Sequence, residues 1–86
     1  MKFNDIFFSK EHSYSLGTEL KSGKHYLSIP VSNGLVDYEE YYEIDLNLLQ
    51  QFQTQQEKAL EFAEKCRRQE LDGLLIMKPG SNRGIS

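Results

Sequence analysis

Along the first half of the chain apolar and polar residues alternate, and along the second half the apolar ones recur every three or four positions. Asn33-Gly34 is the strongest short-range hairpin signal in the first half, because a two-residue type I′ turn needs positive φ at both central positions. A turn centred there sets Ser32 against Leu35, Val31 against Val36, Ile29 against Tyr38 and Leu27 against Glu40. Ser22-Gly23 predicts a second hairpin, with Leu20 opposite His25, Thr18 opposite Leu27 and Leu16 opposite Ile29. Both registers place the same residues on one face: Tyr14, Leu16, Thr18, Leu20, Leu27, Ile29, Val31, Val36 and Tyr38. Two features disturb the pattern. Pro30 removes a ladder donor from a central strand and predicts a bulge or irregular stretch. Glu40 falls on the apolar face, which calls for a bulge near Glu39-Glu40 or a side chain reaching past the sheet edge. Phe3 to Phe8 have the composition of another strand without requiring one.

Asp45 is a good helix N-cap, and Leu48, Leu49, Phe52, Ala59, Leu60, Phe62, Ala63 and Cys66 follow at helical spacing. Positions 49, 52, 56, 59, 63 and 66 form one stripe, interrupted only by Gln56. Lys65, Arg67 and Arg68 suit the negative end of a helix dipole. Gly73 is the expected stop, after which LLIMK reads as a buried strand before Pro79-Gly80. SNRGIS reads as a loop or frayed end. The predicted fold class is α+β: an antiparallel β-meander of three to four strands packed on one long C-terminal helix, with a final short strand after it.

The 86 residues make one domain, 1–86, with room for one sheet and one helical layer. At 38% hydrophobic and 27% charged residues the chain is too apolar to be disordered. Cys66 is the only cysteine, so no internal disulfide is possible, which points to a reducing cytoplasm. Asp5 breaks the apolar run of MKFNDIFFSK, which is too short for a secretory segment, and LLIM is too short to span a bilayer. The expected setting is cytoplasmic, with no membrane partner.

Charge is unevenly spread. Residues 1 to 34 sum to +1, residues 35 to 64 to −7 and residues 65 to 86 to +3, for a net −3. An acidic middle repels nucleic acid and attracts a basic surface; a solvated face that only keeps the protein soluble is the simpler alternative. The densest stretch is DYEEYYEID, residues 37 to 45. Asp37, Glu39, Tyr41 and Glu43 share the face opposite the apolar one, with roughly 7 Å between alternate side chains. That spacing overlaps an inverting glycosidase pair, but any acid-alternating strand provides it, and an open face lacks the cleft that separates two carboxyl pKa values. No catalytic residue is assigned. The same face suits recognition better, since Tyr26 lies directly across from Tyr41 in the predicted register and tyrosines are over-represented at binding hot spots. The two tyrosines could instead stabilise the outer face alone.

His12, His25 and Cys66 have no metal-ligand spacing, so neither a metal nor another cofactor is expected. Cys66 lies on the apolar helix stripe and packs as a small hydrophobe. The basic end, KCRRQE and then KPGSNRG, is too dilute for a nucleic-acid footprint and is not a P-loop. It pairs more naturally with the acidic middle, within the chain or between copies, and Arg83 could anchor an anionic group.

YLSIPVSNGLVDYEEYYEI (26 to 44), CRRQELDGLLI (66 to 76) and KPGSNRG (78 to 84) resemble segments of a family of short bacterial proteins of unknown function. The resemblance covers roughly residues 24 to 86 and implies a bacterial cytoplasmic protein with a strand-hairpin-helix-strand layout; it supplies no catalytic residues. In size and acidity the chain is also similar in kind to bacterial immunity proteins that neutralise toxins. The expected function is therefore a non-enzymatic binding protein that inhibits a basic, nuclease-like toxin through Tyr26, Asp37, Glu39, Tyr41 and Glu43. The alternative is a structural or homo-oligomeric subunit whose acidic middle meets the basic end of another copy.

Overall fold

The two glycine turns do organise a meander. The computed structural model describes all 86 residues, Met1–Ser86. Strands β1 (Phe3–Ser9), β2 (Tyr14–Glu19), β3 (His25–Ser32) and β4 (Asp37–Ile44) form one antiparallel sheet in sequence order. Helices α1 (Leu46–Thr54) and α2 (Gln56–Arg67) cover one face. The α+β class and the meander are as expected, and Phe3–Ser9 adds the fourth strand. No helix of the chain is long and apolar enough to cross a membrane.

Both hairpin registers differ from expectation by two residues. Ser32 pairs with Asp37, Ile29 with Glu40 and Leu27 with Tyr42, while Leu16 pairs with Leu27 and Thr18 with His25. The β3–β4 turn is centred one residue later, on Gly34-Leu35: Asn33 N–H donates to Val36 O at 3.2 Å, and only Gly34 carries positive φ, +87°. Asn33 Oδ1 accepts from the Leu35 and Val36 amides, both at 3.0 Å, so the asparagine caps the turn from outside it. The β2–β3 loop takes in Leu20 to Gly23, closed by Glu19 N–H to Lys24 O at 2.8 Å. Leu20 and Val36 therefore leave the apolar face and are exposed. A shift of two preserves the parity of every other side chain, so Tyr14, Leu16, Leu27, Ile29, Val31, Tyr42 and Ile44 still form the buried floor beneath Leu49, Phe52, Ala59, Ala63 and Cys66.

Pro30 causes no bulge. Ser32 N–H points away from β4, to Ile85 O, and Asn33 N–H points toward it. Alternation puts residue 30 on the Ser32 side, where the ladder with β2 has already ended at Ser28. The missing donor falls where no acceptor needs it. Glu40 likewise neither bulges nor reaches past the edge. It pairs in register with Ile29 and is 6% exposed. Arg83 from the C-terminal segment supplies its partner: Nε lies 2.8 Å from Oε2 and Nη2 lies 3.0 Å from Oε1. The same guanidinium forks to Asp72 at 2.7 and 2.9 Å, and Tyr42 hydroxyl donates to Glu40 Oε1 at 3.0 Å.

The single long helix and the final strand are both corrected. Thr54 hydroxyl bonds back to the Gln50 and Gln51 carbonyls, at 3.3 and 3.2 Å, and Gln55 then leaves helical geometry at φ −125°, ψ 83°. No apolar residue at position 56 holds the middle of the predicted stripe on the sheet, so α2 starts afresh. It ends at Arg67, well before Gly73, in a Schellman arrangement: Gln69 N–H to Cys66 O, Glu70 N–H to Lys65 O, and Gln69 at φ +61°. A 3-10 turn (Asp72–Leu74) ends on the first residue of LLIMK, and the rest of that stretch makes only an isolated bridge, Leu75 with Tyr42. The tail does not fray. Gly84 N–H donates to Tyr38 Oη at 2.6 Å, and Ile85 exchanges both backbone bonds with Ser32 at 3.0 and 3.1 Å.

Candidate interaction face

The helices leave the other sheet face uncovered, and the strand pairings bring Phe3, Asp5, Phe8, Gly17, Tyr26, Ser28, Glu39, Tyr41 and Glu43 together on it. Its centre is Tyr26, which is completely buried. Gly17, its partner on β2, makes this possible: a Cβ there would lie 2.5 Å from Tyr26 Oη and 2.7 Å from Cζ. The hydroxyl end of the ring lies over the glycine, so a gap in the strand becomes its seat. Tyr26 hydroxyl donates to Asp5 Oδ1 at 2.5 Å. Phe3 and Tyr41 close over it. They come from the two edge strands, roughly 14 Å apart at the usual strand spacing, and their rings stack with centroids 3.6 Å apart. Each meets Tyr26 edge-on, at 5.4 Å for Phe3 and 4.9 Å for Tyr41.

Of the five contact residues expected from sequence, Asp37 and Glu43 are exposed, Glu39 and Tyr41 are half-buried, and Tyr26 offers no surface. Tyr26 is thus the support of the face and not part of its contact layer. Nor does it pair with Tyr41: its cross-strand partner is Glu43, and Tyr41 faces Ser28. The two rings meet diagonally. Phe3, Asp5 and the 60%-exposed Phe8 complete the face and were absent from the sequence reading. The signal was the alternation of Phe3 and Asp5, hidden by a bulge at Ile6 that shifts the register between Asp5 and Phe7.

Acid surrounds the aromatic centre. Glu39 Oε1 accepts from Ser28 hydroxyl at 3.1 Å, and Glu43 has a long contact to Lys24 Nζ at 3.9 Å. Burial pushes the Glu39 carboxyl above its ordinary value; the Ser28 hydroxyl opposes that and the charge of Asp5 adds to it. Burial also raises the Tyr41 hydroxyl, helped by the charges of Glu39 and Asp5, and burial with the Asp5 bond raises Tyr26. Both tyrosines are neutral at physiological pH. Beside the face, Tyr38, Glu39 and Tyr41 line an open groove of about 290 Å³ against Met77, Lys78 and Pro79.

The remaining polar candidates are dispersed. His25 Nδ1 bonds Thr18 hydroxyl at 2.9 Å, and Cys66 is buried beneath the helices, its thiol pushed up to about 12 chiefly by burial. No group of three or more His, Cys, Asp or Glu side chains is placed to hold a metal ion. The three arginines are all engaged within the chain: Arg83 with Glu40 and Asp72, Arg68 with Glu70, and Arg67 with Glu64 and the His12 and Ser13 carbonyls. Comparison with family models, with curated proteins and with solved structures returned no match, so chemistry and geometry carry the functional argument.

Proposed function

We propose that this chain is a small, non-enzymatic bacterial binding protein that inhibits a basic protein partner, a nuclease-like toxin domain, through its uncovered sheet face. One observation carries the reading: a half-buried aromatic centre, Phe3 and Tyr41 on a buried Tyr26, shares the uncovered face with Asp5, Asp37, Glu39 and Glu43. Large rings at the middle and charge at the rim is the arrangement that gives protein interfaces their affinity and their orientation. Acidic rim residues speed encounter with a basic surface, and an acidic face can occupy a site built for phosphates. The cytoplasmic setting belongs to the same proposal.

The homo-oligomer in which the acidic middle meets the basic end of another copy is disfavoured, because every arginine of that end is already paired inside the chain. The test is capture from a bacterial lysate with the native chain and with the Glu39→Lys/Glu43→Lys variant, alongside light scattering at two salt concentrations. A single stoichiometric basic protein, eluted by salt and lost in the variant, is the expected result. Equal capture by the variant refutes the acidic face. A mass that rises with protein concentration and falls with salt refutes the monomeric inhibitor in favour of the oligomer.

A further inference from the structure

Where the C-terminal segment meets the β3–β4 turn, the residue that receives it is chemically labile. Asn33 Nδ2 donates to Asn82 O at 3.0 Å, and Ser32 exchanges both backbone bonds with Ile85. Gly84 lies so close that a Cβ on it would be 2.5 Å from the Ser32 carbonyl carbon and oxygen and 2.9 Å from Asn33 N. Of the four asparagines, Asn4, Asn33, Asn47 and Asn82, only Asn33 is followed by glycine. Gly34 has no Cβ to hinder its own nitrogen, and it is exposed, with open space where a side chain would be.

An asparagine so placed loses its amide to the next backbone nitrogen, an intramolecular attack that needs no other reagent than water. Gly34 N–H gives its proton to hydroxide and the nitrogen bonds to Asn33 Cγ. The Cγ–Nδ2 bond then breaks, and Nδ2 leaves as ammonia with a proton taken from water. Water opens the cyclic imide at either carbonyl, leaving aspartate or its β-linked isomer. The turn prepares the electrophile, because Leu35 and Val36 N–H both reach Oδ1 at 3.0 Å, where negative charge develops during the attack. Two contacts oppose the reaction. Gly34 N–H is held by Ser32 Oγ at 3.2 Å, and the leaving nitrogen is held by the Asn82 carbonyl. The second restraint belongs to the C-terminal segment.

We infer that Asn33 is a site of spontaneous deamidation, restrained by the docked C-terminal segment, and that the reaction loosens that segment from the sheet. Either product removes what holds the segment at the turn. A carboxylate has no proton to donate, so its oxygen meets the Asn82 carbonyl as acceptor against acceptor. The β-linked isomer also adds one carbon to the main chain at residue 33, where Gly84 already leaves no room. Arg83 still holds Glu40 and Asp72, so the loosening is confined to the contacts of Asn82, Gly84 and Ile85. Asn82 also lines the groove beside Tyr38 and Tyr41, so the border of the uncovered face changes while its acids stay in place.

The test incubates three samples at neutral and at mildly alkaline pH: the folded chain, the same chain in urea, and Gly84→Ala, whose methyl displaces the segment from Ser32. Peptide mass spectrometry then follows each asparagine. In the folded chain Asn33 should convert before the other three, and faster at the higher pH. It should react about tenfold more slowly than in urea, the factor set by releasing two neutral hydrogen bonds. Gly84→Ala, which frees the Asn82 contact, should speed it about threefold. Asn33→Asp carries one product from the start and should keep the native fold. Its Gly84 and Ile85 amides should exchange with deuterium about three- to tenfold faster than in the native chain, with Leu27 and Tyr42 unchanged. Asn33 converting no faster than Asn4 in the folded chain overturns the site. Equal rates in the folded chain and in urea overturn the restraint, and unchanged exchange at Gly84 and Ile85 in Asn33→Asp overturns the loosening.

Discussion

Arg83 is the residue whose removal tests most of the fold at once. It joins a nearly buried carboxylate on β4 to Asp72, and it fastens the segment whose Gly84 and Ile85 bond to Tyr38 and Ser32. Arg83→Met keeps the length and apolar stem but leaves Glu40 facing the core without a counter-charge. Breaking a buried pair in this way costs about 3–5 kcal/mol. The figure is reduced here because Arg83 is 16% exposed, Asp72 can turn to water at 41% exposure, and Tyr42 still donates to Glu40. A loss of about 2–4 kcal/mol is expected. For a domain of this length, with about 4–13 kcal/mol of total stability, that is a third or more of what holds it together in most cases. The midpoint of thermal unfolding should fall by about 10–20 °C. The double variant Arg83→Met/Glu40→Met replaces an ion pair by apolar groups, leaves Tyr42 hydroxyl 3.3 Å from the Cys66 carbonyl, and should recover to within about 1 kcal/mol of the native chain. Urea titrations of the native chain, the single variants Arg83→Met and Glu40→Met, and the double variant, read by far-UV circular dichroism with a common m-value, measure the cycle. A cost for Arg83→Met below about 0.5 kcal/mol, or a double variant no more stable than the single, refutes the reading that a buried charge pair ties the tail to the sheet.

Gly17→Ala should destabilise by about 2–3 kcal/mol, since the new methyl meets Tyr26 and the Asn4 carbonyl at once; a near-neutral result in chemical unfolding means that Tyr26 does not lie over the glycine. Glu19, held at about 2 by the amides of Lys2, Lys21 and Ser22, favours the folded state fully above the unfolded carboxyl value, and that contribution is lost as pH falls from about 4.5 to about 2. Glu19→Gln should therefore flatten melting temperature against pH across that window, and an unchanged slope counts against the role. Gln69→Gly, at φ +61° in the cap of α2, should stabilise by about 0.5–1 kcal/mol in the same urea assay; a loss places the cap elsewhere.

The faces of the sheet were more legible than its registers, for a physical reason. Asn33-Gly34 and Ser22-Gly23 mark turns, but positive φ is needed only at the glycines, and the exact centre is decided by the side chains of Asn33 and Glu19 bonding to nearby amides. Those bonds moved each pairing by two residues, which keeps parity and so kept the core. Elements set by distant partners were not legible. Glu40 looked like an error in the pattern until Arg83, 43 residues away, closed on it. Tyr26 looked like a contact residue until β1 folded over it and Gly17 opened a place beneath it. The helix break at Gln55 comes from a polar run with no glycine or proline, where Thr54 competes for the backbone and nothing apolar holds position 56.

Burial of Tyr26 also changes how the acidic stretch works. A sheet face of alternating acids and free tyrosines would be soft, because each ring would pay for its ordering when a partner bound. Here the ordering is done by folding. Gly17 removes a side chain, Tyr26 fills its place and bonds Asp5, and the edge strands each contribute one ring to the stack above. The acids of DYEEYYEID divide accordingly. Glu40 faces inward and is paired with Arg83, Asp45 is used up in a helix cap, and Asp37, Glu39 and Glu43 lie on the outer face of the same strand. Strand parity separates the structural carboxylate from the available ones, and the aromatic layer holds the available ones around a rigid centre. A partner that meets this face therefore gains charge complementarity without first ordering the rings it lands on.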